Sequence, residues 1–67
     1  MTDDEAWFSR RCALYGIEGR YKDIAMAEFI RLMAGWTQNG NIDVTTQELE
    51  ALRERAFGNV RWALFGL

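Results

Sequence analysis

The 67-residue sequence contains no histidine, no proline and a single cysteine, Cys12. Each shortage removes a class of explanation. One cysteine cannot close an intrachain disulfide. Without histidine, a lone thiol cannot build a tetrahedral zinc site. General acid–base and nucleophilic mechanisms draw mostly on histidine, an activated cysteine or serine, or paired carboxylates. The carboxylates here sit mainly at helix starts and on polar faces, so no enzyme, no cofactor and no metal are expected. Cys12 follows Arg10 and Arg11, which would lower its pKa, yet its apolar neighbours mark it as a small core residue.

Charge of one sign is also lacking. Eight basic residues face ten acidic ones, for a net charge of −2. That balance gives no global pull toward nucleic acid or an anionic membrane. Lys22 is the only lysine, which argues against a membrane-surface role. No apolar run approaches the length of a bilayer span. The start, Met1-Thr2-Asp3-Asp4-Glu5, is acidic and does not read as a signal peptide. A free thiol and no export signal fit a cytoplasmic protein.

Apolar and aromatic residues are plentiful instead: 49% of the chain is hydrophobic and 13% aromatic. The apolar positions recur at spacings of three and four, and with proline absent this predicts an all-α domain occupying residues 1–67. Thr2 is the expected N-cap of a first helix, with Glu5 at the capping-box position and Gly16 closing it. A second helix is expected over residues 20–36. Ala25, Met26, Phe29, Leu32, Met33 and Trp36 share one broad face there, with Ile30 at its margin and Ile24 stranded opposite beside Glu28 and Arg31. So wide an apolar face belongs to a central helix packed on more than one side.

The stretch 37–41 reads as a turn-forming loop, and Ile42 to Val44 as a short extended segment. A third helix opens at Thr45, with Glu48 as capping-box partner and Val44 against Leu49 as hydrophobic staple. The pair Gly58-Asn59 is expected to break that helix and start a short fourth one. The fold class expected is therefore a small bundle of three main helices plus a short C-terminal fourth helix.

Two further stretches suggest ligands. Asn39-Gly40-Asn41-Ile42-Asp43 looks like part of an EF-hand loop. Carrying the register through puts Gly35, Thr37 and Thr46 at the first, third and twelfth ligand positions. Calcium needs several carboxylate oxygens at those places, so no calcium site is expected. The C-terminal region 51–67 carries Arg53, Arg55 and Arg61 against Glu54 alone. Those arginines, with Trp62 as a stacking group, are the candidate contacts of a small helical DNA-binding regulator. Glu48, Glu50 and Glu54 surround them, and intrahelical pairs explain the same residues.

The final run, Trp62-Ala63-Leu64-Phe65-Gly66-Leu67, is the strongest pointer to a role, because chain ends are usually polar. One reading closes the core with it. The other makes Trp62, Phe65, Leu67 and Arg61, with Trp36 and Trp7, the centre of a protein interface, since Trp and Arg are enriched at such centres. The preferred expectation is a small non-enzymatic interaction module (an inhibitor, adaptor or accessory subunit), with a protein partner or a second copy of itself. In size and style the chain is similar to accessory proteins of phages and plasmids, without a shared motif.

Overall fold

The structure, a computed structural model, describes residues 2–38, 40 and 44–66. Among them it contains α1 (Asp3–Leu14), a 3-10 turn (Gly19–Tyr21), α2 (Lys22–Gln38) and α3 (Thr46–Phe65), with no strand. The all-α class is as expected. The proposed extended segment at Ile42 and Asp43 and the calcium-like loop fall mainly outside the described residues.

Local chemistry sets the ends of these helices. The Thr2 hydroxyl accepts from Glu5 N at 3.1 Å, satisfying a donor that the helix cannot, while Asp3, Asp4 and Glu5 favour the positive end of the dipole. At the other end of α1, Ile17 N donates to Cys12 O at 2.8 Å and Gly16 N to Ala13 O at 3.2 Å. These paired bonds form a Schellman motif, which needs Gly16 at φ +69°. α2 runs two residues beyond its expected end, and the Thr37 hydroxyl donates to Met33 O at 3.0 Å in that last turn. Thr45 and Glu48 make the full capping box of α3: each side chain meets the other residue's backbone N–H.

The expected fourth helix does not form. α3 continues through Gly58 and Asn59 to Phe65. An interior glycine costs up to about 1 kcal/mol, but the residues around it are anchored. Phe57 is buried, Val60 packs on the core, and Asn59 Nδ2 donates to Glu28 Oε2 at 2.8 Å. Tertiary contacts on both sides of the glycine outweigh its propensity, and the helix stays whole.

Trp7, Phe8 and Cys12 from α1, Ala25 and Phe29 from α2, and Leu52, Ala56 and Phe57 from α3 form the core. Phe8 lies at its centre, edge-on to Trp7 at 5.0 Å and 5.8 Å from Phe29 between ring centroids. α2 packs against both other helices, as its wide apolar face requires. Met26, Leu32 and Met33 line the core from that face, whereas Ile30 points to solvent at 63% exposure.

α1 and α3 are joined by polar links. Arg53 Nε donates to Asp4 Oδ1 at 2.9 Å and its Nη2 pairs with the same oxygen. Arg11 Nη1 donates to Glu54 Oε2 at 2.6 Å, and Trp7 Nε1 donates to Glu50 Oε1 at 3.0 Å. The Arg11 guanidinium also lies over the Trp7 ring, 4.4 Å from its centroid. Residues 43 to 49 positions apart in sequence are thereby clamped together.

Candidate functional site

The residues singled out from sequence divide sharply once placed in the fold. Trp7 is not at the surface: it is 8% exposed and part of the core. Trp36 is half-buried near the end of α2. Leu67 lies outside the described residues. Trp62, by contrast, is 71% exposed, and Leu64 and Phe65 beside it are exposed as well. Phe65 rests edge-on against Tyr21 at 5.1 Å, which holds its ring at the surface instead of in the interior.

The three arginines of the nucleic-acid reading do not converge. At 100° per residue Arg55 lies about 200° from Arg53 and about 120° from Arg61 around α3. Arg53 is mostly buried between Asp4 and Glu50. The Arg61 guanidinium stacks over Tyr15 at 4.6 Å, and its Nε is buried with no hydrogen-bond partner. Among the described residues neither Arg55 nor Arg61 forms an ion pair, but Arg61 is held on the Tyr15 ring, and the one exposed guanidinium left, Arg55, is not a phosphate-tracking stripe.

A groove that the residue types alone did not reveal lies between α2 and α3. Ile24 and Glu28 line one wall, and Asn59, Val60, Ala63 and Leu64 the other, around a volume of about 300 Å³. No α1 residue reaches it. The antiparallel course of α2 and α3 places Ile24 at the apolar end with Leu64. Ile24, read from sequence as stranded on the polar face, was the one signal pointing here. It is 47% exposed and Leu64 50%.

Glu28 is the charged residue of that lining. Its two oxygens take a fork from Arg31, Nε at 2.7 Å and Nη2 at 2.8 Å, and Asn59 completes the set. The Arg31 hydrogen bonds first, then that of Asn59, pull its pKa down from 4.5 to about 2, and the nearby Arg55 charge adds to the effect. A carboxyl whose folded pKa is depressed stabilises the fold above its unfolded pKa. That contribution is lost as pH falls from about 4.5 through about 2. Because Arg31 is largely solvated, solvent screens the pair and the contribution at pH 7 is small. Glu28→Gln is accordingly expected to lower Tm at pH 7 and to approach the wild type as pH falls toward 2, read by thermal melts across that range. An equal offset at both pH values would contradict this account.

Cys12 is buried, and burial pushes its thiol pKa upward. A protonated, enclosed sulfur is a poor nucleophile. Among the described residues no group of three or more His, Cys, Asp or Glu is placed to hold a metal ion. Nor is any described helix long and apolar enough to cross a membrane. No family model, no curated protein and no solved structure matches this chain.

Proposed function

We propose that the chain is a small non-enzymatic protein-binding module whose contact surface is the C-terminal half of α3 with the adjoining edge of α2. The observation that carries the reading is the exposure of Trp62 at 71%, beside Leu64 and Phe65, on a helix whose inner face is packed. A rigid indole held out on a regular helix loses little entropy on binding and supplies a large apolar contact area. The αL cap at Gly66, whose N–H donates to Trp62 O at 3.0 Å, keeps this last turn wound. A large exposed apolar group on so small a domain is a feature of surfaces meant to be covered.

The test is affinity capture from lysate of the source cells, with the tagged chain and its Trp62→Ala variant, each with and without nuclease. We expect a discrete protein that survives nuclease and whose recovery falls at least about tenfold with Trp62→Ala, the mark of an energetic centre. Since Trp62 is exposed, that variant keeps its fold, as circular dichroism will show. Capture that depends on nucleic acid, and weakens when Arg55 is removed, would instead favour a DNA-binding regulator. Equal recovery by both chains would refute the proposed surface.

A further inference from the structure

Resting on the protein-binding reading, we infer that the partner is a second copy of this chain, held by antiparallel pairing of the outer faces of the two α3 helices. At 100° per residue, Ala51, Arg55 and Gly58 all lie within about 40° of Trp62 around α3. The buried Ala56 and Phe57 lie on the opposite side. Spacings of four, three and four along that face are the pattern by which one helix seats against another. The face is open. Trp62 is 71% exposed, Ala51 and Arg55 are exposed, and a Cβ at Gly58 would meet nothing within 4 Å.

Large and small residues are ordered on this face so that reversal matches them. With the two-fold axis level with the midpoint of Arg55 and Gly58, Trp62 of each copy falls on Ala51 of the other. Arg55 of each copy falls on Gly58 of the other. Every large side chain thus meets a position whose own side chain is a methyl group or is missing. The indole inserts as a knob, and the stem of Arg55 crosses the glycine with its guanidinium at the rim. The four layers span about 17 Å of helix.

The same operation matches charge. Glu54 and Arg61 lie about 80° and about 100° from Trp62, both on the same flank of the seam. In an antiparallel pair each flank faces its own equivalent, so Arg61 of each copy lies beside Glu54 of the other. The Arg61 guanidinium is fixed over Tyr15 at 4.6 Å and forms no ion pair among the described residues. Glu54 pairs with Arg11 but keeps 46% of its side chain exposed. A parallel pairing would instead set Trp62 on Trp62 and Arg55 on Arg55. A different protein would have to present the order of small and acidic positions that this chain already carries. A seam this short makes a weak complex, in the micromolar range, so dilute chain is monomeric.

The experiment is sedimentation equilibrium of the intact chain from about 1 µM to about 1 mM. The expected mass rises from 7.8 kDa toward twice that value. Trp62→Ala weakens association at least about tenfold. Adding Ala51→Trp to that variant exchanges large and small across each layer and restores affinity to within about threefold of the wild type. Arg61→Glu also weakens association, more at low salt than at high, because it sets like charges beside each other. Ala51 and Trp62 are exposed, and melting curves confirm that the variants fold. Should Arg61→Glu melt early, the size exchange decides alone.

A wild-type chain still monomeric at about 1 mM would overturn the inference. So would Trp62→Ala that associates like the wild type, or a double variant no tighter than Trp62→Ala. The two proposals can fail separately. A monomeric chain that captures a different protein from lysate through Trp62 removes the second copy and leaves the module reading standing. A monomeric chain whose capture is indifferent to Trp62→Ala removes both.

Discussion

Phe8→Ala leaves the chain largely unfolded at 25 °C. Phe8 is completely buried and touches aromatic rings on its own helix and on α2. Deleting a buried phenyl ring costs about 3–5 kcal/mol, from lost transfer energy and the cavity left behind. A domain of this size holds only about 3–10 kcal/mol in total. No disulfide or histidine-bearing metal site is there to make up the difference. The loss appears as a collapse of the near-ultraviolet tryptophan signal and of the urea midpoint. Leu14→Ala, at a position 74% exposed, serves as the control and should shift stability by no more than about 0.5 kcal/mol. A cooperative melt of Phe8→Ala within a few degrees of the wild type would show that the core is organised otherwise.

Gly35→Ala combined with Gly58→Ala works in the opposite direction and raises Tm by roughly 10 °C. Both glycines lie inside helices, neither has a positive φ, and a Cβ at either would meet nothing within 4 Å. Alanine there reduces the freedom of the unfolded chain at no steric cost, contributing up to about 1 kcal/mol per site. Gly35 and Gly58 are far enough apart for their effects to add. Gly16→Ala is the informative contrast, since Gly16 sits at φ +69° in equally open space. Its expected effect is a loss of about 1 kcal/mol from left-handed strain. Thermal melts of the three proteins check all of this, and a double variant no more stable than the wild type would contradict it.

The helix ends were legible in the sequence because their causes are local. Thr2 with Glu5, Thr45 with Glu48, and Gly16 each act within a turn of where they stand. Helix identity and the broad apolar face of α2 followed from periodicity. The break expected at Gly58 followed from propensity as well, and it failed because Phe57, Val60 and Asn59 are fixed by partners on other elements. Trp7 was misplaced for a similar reason. Its large ring suggests an anchor, and nothing near it in sequence announces that Glu50, 43 positions away, receives its N–H.

The arginines show the same limit. Pairing of Glu50 and Glu54 with Arg53 and Arg55 within α3 was a fair reading of spacing, and Arg53 does lie 3.7 Å from Glu50, yet the shorter pairs of Arg53 and Glu54 are with Asp4 and Arg11 on α1. The groove could not be read at all without knowing that α2 and α3 lie antiparallel. Only then does an isoleucine among charges acquire a leucine across from it.

Those cross-helix pairs also constrain how the sequence can drift. Asp4 with Arg53 and Arg11 with Glu54 run in opposite senses, one acid-to-base and the other base-to-acid, from α1 to α3. A charge reversal at any one of the four positions sets like charges against each other and is admissible only after its partner has changed. Yet reversing both members of a pair restores the attraction with the polarity inverted. Two lineages that had made opposite choices at both pairs would share one fold. Their first helices could not be exchanged.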